Sequence, residues 1–188
     1  RKNLRKTERL GHVVAPVADP AFSNRLNDLV QQTMSRTGAS SLRSDWTARI
    51  EGAVRYPQSY RISGLFLNGI VDAEHLVSFR WCGMQSGFGD DLVAASARLG
   101  AEHASTPLMH SVMWDMLSWA RRCGAEWFDF GGVVSEGDEH YEQLRSISEF
   151  KRLFSSNVAE VGADFELEVS PVASRMAGLV SSIGNWTR

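Results

Sequence analysis

Residues 127–154, WFDFGGVVSEGDEHYEQLRSISEFKRLF, hold the side chains best suited to chemistry. Lys151 follows Phe150 and stands four residues after Ile147, on a run where Leu144, Ile147, Phe150 and Phe154 have the spacing of one helix face. A lysine at the edge of such a stripe lays its methylene stem on apolar surface and carries its ammonium into a neighbouring pocket. There a fixed positive charge stabilises a developing oxyanion or a nearby phosphate. The same residue also reads as a solvated helix lysine, the commoner fate of this side chain. Asp129 alternates with Phe128 and Phe130, so it is either an acid on the sheet face or an acceptor for backbone donors. Gly131 and Gly132 let a ligand approach the backbone, or satisfy a positive-φ turn. His103, His110 and His140 are the candidate bases for taking a proton from an amine, although a single histidine is as readily structural. None of them forms a nucleophilic triad with Cys82 or Cys123.

Groups of this kind need a sheet and helices to hold them. The lead-in RKNLRKTERL is predicted helical and ends at Gly11; residues 12–17 (HVVAPV) then read as a short strand closed by Asp19-Pro20. Phe22, Leu26, Leu29, Val30 and Met34 recur at helical spacing up to Gly38. Trp46, Ile50, Ala53 and Val54 repeat the pattern after Asp45, a good N-cap, and Pro57 ends it. Residues 60–67, 74–82 and 91–99 read as three strands separated by NG and GFGD turns, an antiparallel meander. Thr106-Pro107 opens the clearest helix, with Leu108, Met109, Val112, Met113, Met116, Leu117 and Ala120 on one face. Its Arg121 and Arg122 suit the C-terminal dipole, and Gly124 the C-cap. A strand over 127–130, the Lys151 helix, an alternating strand over 165–169 and a last helix after Pro171 complete the order. It predicts a mixed α/β (α+β) domain built on one sheet.

At 188 residues with 43% hydrophobic and 22% charged side chains, the chain can bury one sizeable core. This excludes disordered and collagen-like classes. A net charge of -2 gives no general attraction for nucleic acid or anionic membrane, although five of the 20 lysines and arginines fall in residues 1–9. Two distant cysteines indicate neither a disulfide framework nor a metal site, and a reducing, cytoplasmic setting is the default. No run reaches the ~18 apolar residues that span a bilayer.

The element order resembles the GNAT acyltransferase fold from about Gly11 to Pro171. The text LMHSVMWDMLSWARRCGAEWFDFGG, followed by ISEFKRLF, is similar to the FemABX-like and BioF2-like branch, which includes peptidoglycan-bridge aminoacyltransferases. Trp114, Ala120 and Gly124 stand as W-x(5)-A-x(3)-G; Phe128 to Gly132 match the strand signature, and Phe150, Lys151 and Phe154 the helix signature, with Ser155 replacing its glycine. Three short signals in order are more specific than any one. The resemblance implies an N-acyltransferase or aminoacyltransferase that passes an acyl or aminoacyl group to an amine-bearing acceptor, for instance a cell-wall precursor, without a metal. It implies one mostly antiparallel sheet with splayed central strands, helices on both faces, and the donor in the splay. Lys151 would then contact the donor's acyl-ester region, beside Phe150. Backbone near Ala94, Ala95 and Ser96, with Gly131 and Gly132, would bind and polarise the donor.

Coenzyme A users of this fold wrap the pyrophosphate in [QR]-x-x-G-x-[GA]. Residues 98–103 read RLGAEH here, so the motif fails, and Glu102 would repel a phosphate. Two donors therefore stay open: an aminoacyl-tRNA, or an acyl-coenzyme A held more loosely through Ser105 and Thr106. Two other classes compete, a GNAT-shaped binding or regulatory module without turnover and an RNA-binding module using the basic lead-in. Three segments are expected: the lead-in 1–10 as the end of an upstream segment, the GNAT domain 11–171, and a tail 172–188. Relatives with two domains in tandem point to a second GNAT domain or a homo-oligomer as partner.

Overall fold

The computed structural model describes residues 1–37, 44–137 and 141–159. The predicted strand over 165–169, the helix after Pro171, the tail 172–188, His140 and part of the acidic 136–142 run lie outside the described residues. The chain parts into a compact unit, 1–154, and a second, 155–188. In the second, the Asn157 N–H donates to Ser155 Oγ at 3.1 Å.

The first unit carries helices α1 (Lys2–Arg9), α2 (Ser23–Thr37), α3 (Trp46–Arg55), α4 (His110–Arg122) and α5 (Tyr141–Arg152). Its strands are β1 (Val13–Pro16), β2 (Tyr60–Phe66), β3 (Leu76–Gln85), β4 (Phe88–Ser96) and β5 (Trp127–Asp129), in spatial order β1-β2-β3-β4-β5. β2, β3 and β4 form the antiparallel meander that their short connections predicted; β1 also pairs antiparallel with β2, and β5 joins β4 in parallel after the α4 crossover. This is the mixed, mostly antiparallel sheet with helices on both faces.

Strand alternation assigns the faces. Ile62, Phe66 and Phe79 meet α2 and α3, with the Trp46 ring edge-on to Phe79 at 5.0 Å. Arg61, Ser63 and Leu65 turn to the other face, where Asp115 of α4 takes a 3.0 Å bond from Arg61 Nε and a 2.6 Å bond from Ser63 Oγ. Gly64 sits where β2, β3 and β1 crowd together. A Cβ there would overlap Leu76 Cδ1 and stand 3.1 Å from Val17 Cγ2.

Local details depart from the sequence expectation. The β3–β4 hairpin turns at Ser86 (φ 50) and Gly87 (φ 79), so β3 runs on to Gln85 and β4 starts at Phe88. GFGD is thus mostly strand, because the ladder with β3 outweighs the local turn preference of two glycines. Helix α4 begins at His110, three residues beyond Pro107. Trp119 is buried and its indole N–H donates to Pro57 O at 2.9 Å, whereas Trp114 is exposed. Val54 is 55% exposed, at the edge of the predicted α3 stripe. Thr7 of α1 is buried and its Oγ1 takes a 2.8 Å bond from Ser111 of α4.

Candidate active site

Strands β4 and β5 stay paired for three rungs, Phe88–Trp127, Gly89–Phe128 and Asp90–Asp129. β5 then ends, while β4 continues to Ser96. Gly89 permits the pairing, since a Cβ there would stand 2.7 Å from the Phe128 ring. Past Asp90 the outer edge of β4 has no strand partner among the described residues and faces a gap. The groups facing it follow from alternation: the Ala97 N–H donates to Val77 O of β3 at 2.8 Å, so Ala95 also turns toward β3 while Ala94 and Ser96 turn away. The Thr33 hydroxyl of α2 takes up Ser96, accepting from its N–H at 3.0 Å and donating to its C=O at 3.2 Å. Of the three residues predicted to line this edge, Ala94 therefore points its backbone N–H and C=O into the gap. Ala95 is core, and Ser96 is spoken for.

The far side of the gap is a strap that returns Lys151 to it. Asp129 Oδ1 accepts the Gly131 N–H at 2.7 Å, the backbone-acceptor role left open for this acid, and Gly131 (φ +75) turns the chain out of β5. The strap then clasps α5. The Val134 N–H donates to Ser148 Oγ at 2.9 Å, and Lys151 Nζ donates to Gly132 O at 2.7 Å. A Cβ on Gly131 would stand 3.3 Å from that ammonium. Lys151 is half-buried, and burial pushes its pKa below the ordinary lysine value; Asp91 opposes this, Arg80 adds to it, and Asp129 opposes it. The clasp also corrects the predicted α5 face. Ser148 is buried and Ile147 is 39% exposed, because the strap hooks the helix through a hydroxyl rather than an aliphatic chain.

Beneath Lys151 lies an ion pair that the sequence reading did not single out. Arg80 of β3 and Asp91 of β4 are joined by a charge-assisted hydrogen bond, their side chains only 5% and 6% exposed. The Arg80 guanidinium carbon lies 5.5 Å from the Phe150 ring centre. The Cys82 thiol, 3.7 Å from Asp91 Oδ1, is pushed well up by burial and then by that carboxylate. Burial, Asp129 and Asp91 together raise Asp90. The alternation Val77-Ser78-Phe79-Arg80-Trp81-Cys82, polar on one face only, was the signal that could have found Arg80. His110 is packed against the aromatic side of the site, its ring 5.1 Å from Phe150 and 6.2 Å from Phe154. Both of its ring nitrogens are buried without a hydrogen-bond partner among the described residues, and burial lowers its pKa.

The remaining candidates stand elsewhere. Thr106 Oγ1 pairs with His12 Nε2 at 3.4 Å, Ser105 is exposed, and His103 packs its ring against His12 at 6.0 Å. The Glu102 carboxylate folds over Gly100, where a Cβ would stand 2.9 Å from both of its oxygens. A negative charge thus occupies the loop where a pyrophosphate would need N–H groups. Among the described residues no His, Cys, Asp and Glu gather in a group able to hold a metal ion. No described helix is long and apolar enough to cross a membrane.

No family model and no curated protein matches the chain. Solved structures do. FemX superposes with a TM-score of 0.59 at 17% identity, over 79% of this chain and 52% of its own, so the chain spans about half the length of FemX. AAC(6')-Iy, solved with a coenzyme A bisubstrate analogue, gives 0.57 at 7% identity over 83% and 97%. The PaiA N-acetyltransferase of Thermoplasma acidophilum, solved with coenzyme A, gives 0.54 at 10% over 81% and 92%. At these identities the likeness establishes the fold, which is the GNAT fold.

Proposed function

We propose that the chain is an N-acyltransferase or aminoacyltransferase of the FemABX-like kind, forming an amide between an acyl or aminoacyl donor and an amine acceptor. The observation that carries this reading is the β4/β5 gap, with the Ala94 backbone on one wall and Lys151 brought back to the other. The donor's carbonyl lies in the gap, the Ala94 N–H and the Lys151 ammonium face its oxygen, and the neutral amine attacks its carbon. Charge then builds on that oxygen in a half-buried site, where fixed donors stabilise it far more than water does. The tetrahedral species collapses with loss of the donor's alcohol or thiol, which takes up a proton from solvent as it leaves, and the proton of the former amine passes to solvent or to a carboxylate at the rung. Asp90 stands there with a pKa raised by burial.

The FDFGG strand and the Phe150-Lys151 pair support this branch, and the Glu102 cover over Gly100 weighs against a tight coenzyme A loop. A cell-wall amine is the acceptor class that goes with it. Acetyl-coenzyme A-dependent transfer is the second reading, favoured by the fold likeness to structures solved with coenzyme A or its analogue. The test is amide formation followed by mass spectrometry, with aminoacyl-tRNA and acyl-coenzyme A donors offered separately against a panel of amines. Transfer by the full chain, lowered about 10²–10³-fold in Lys151→Ala, is expected. Equal rates in the two proteins would remove the role of Lys151; no transfer from either donor would leave a binding module.

A further inference from the structure

The opposite face of the sheet holds a second polar arrangement, one strand from the gap. Arg49 of α3 lies between two indoles, its guanidinium carbon 4.8 Å from the Trp46 ring centre and 4.5 Å from that of Trp81. It makes no ion pair or hydrogen bond among the described residues, unlike Arg61, Arg80 and Arg145, each of which holds a carboxylate. The indole N–H groups of Trp46 and Trp81 are also buried with no acceptor among the described residues. Trp46 is 1% exposed. Arg49, Ala48, Gly52, Tyr60 and Trp81 line a pocket of about 230 Å³. Arg49 is therefore a guanidinium without a described acceptor at the edge of a mostly apolar pocket, with Trp46 behind the lining and the two indole N–H groups buried away from it. A guanidinium flanked by aromatic faces has its two edges free, and its fork geometry matches a carboxylate or a phosphate. The volume lies below the range of whole small-molecule sites and suits one such head group.

The position links the pocket to the gap. Trp81 pairs with Val93 of β4, and strands lie about 4.8 Å apart. An oxyanion on Arg49 would therefore stand over the strand next to β4, on the face opposite α4, at least two strand spacings, about 10 Å, from the gap. We infer that the acceptor is an amine carrying an oxyanion, carboxylate or phosphate, held by Arg49 between Trp46 and Trp81. This inference rests on the amide-forming reading for its acceptor, but the pocket can be tested without turnover.

Inorganic phosphate and acetate are titrated separately into the full chain, following tryptophan fluorescence and thermal stability. Because Arg49 touches two indoles, binding perturbs their emission directly. A saturable change with either anion is expected, and the anion that gives it identifies the head group. Arg49→Gln weakens that binding tenfold or more, the loss of a charge-assisted hydrogen bond of roughly 1.5–3 kcal/mol. Arg49→Lys keeps the charge but not the fork, retains part of the affinity and serves as the folded control. No saturable response to either anion, or the same response in Arg49→Gln, overturns the pocket. If transfer is found and amines with and without an oxyanion react equally well, the acceptor assignment fails while the amide-forming reading stands.

Discussion

The β2–β3 ladder and the β4–β5 ladder belong to one sheet and are built to opposite ends. β2 and β3 keep their register from Tyr60–Gly83 to Leu65–Ser78 and stay paired past a bulge to Phe66–Leu76, and both faces of β2 are buried from Ser63 onward. β4 and β5 pair for three rungs only and leave polar groups at the parting: Asp90, Asp129, the Ala94 backbone and, from α5, Lys151. Apolar closure gives the first region its stability. The second keeps backbone that no described strand pairs and half-buried charge, which cost stability in a resting fold and are the kind of groups a ligand can use. The difference teaches where to look for function in a chain of ordinary composition. It is the place where a ladder stops while its strand goes on.

Mutations that separate the two ladders test this. The largest expected effect is at the seam between them. Arg80→Leu leaves Asp91 buried without its partner and lowers stability by about 3–5 kcal/mol in urea unfolding. The double variant Arg80→Leu with Asp91→Leu recovers most of that loss, and failure to recover would show that the pair does more than neutralise itself. Next, Lys151→Ala changes the unfolding midpoint little but lowers amide formation about 10²–10³-fold, a split that a purely structural lysine would not give. Gly64→Ala, in the closed ladder, costs about 1–3 kcal/mol because its new methyl meets Leu76 and Val17. Gly132→Ala has no described atom within 4 Å of its added Cβ and is expected to change stability by less than ~0.5 kcal/mol.

The smallest effect is on pH dependence. His110 and His12 both have folded-state pKa values lowered from about 6.5, chiefly by burial. The unfolded chain therefore takes up their protons first as the pH falls. Stability that is complete above about 6.5 drains as the pH drops below it. His110→Phe keeps the ring against Phe150 and Phe154 and flattens part of that fall, measured as melting temperature at pH 7 and pH 5.5. An unchanged slope would assign the acid sensitivity to His12 or to other groups.

Much of this was legible in the residues. The NG step became a turn with Asn68 (φ 54) and Gly69 (φ 72), Gly124 (φ +87) caps α4, and Asp45 caps α3 by accepting the Ala48 N–H at 3.1 Å. Local rules reach such features because the deciding groups are close in sequence. The start of β4 was not legible, because its deciding partner is the β3 ladder and not its own glycines. The inward face of α5 escaped for a similar reason, since Ser148 is buried by a strap fourteen residues earlier. At the site, Lys151 could be found by helical phase, whereas Arg80 needs Asp91, eleven residues on and across a bulge between Trp81 and Cys82. Arg49 was invisible, because its two indoles come from α3 itself and from β3.

Thr33 has one more consequence. A bare strand edge recruits other strand edges, and two molecules meeting there would zip into a shared sheet and then into aggregate. By taking both backbone groups of Ser96 with one hydroxyl, α2 shortens the open edge from its far end. Thr33→Val keeps the shape and removes the hydroxyl; slow self-association at high concentration, read by light scattering, is what its loss would release.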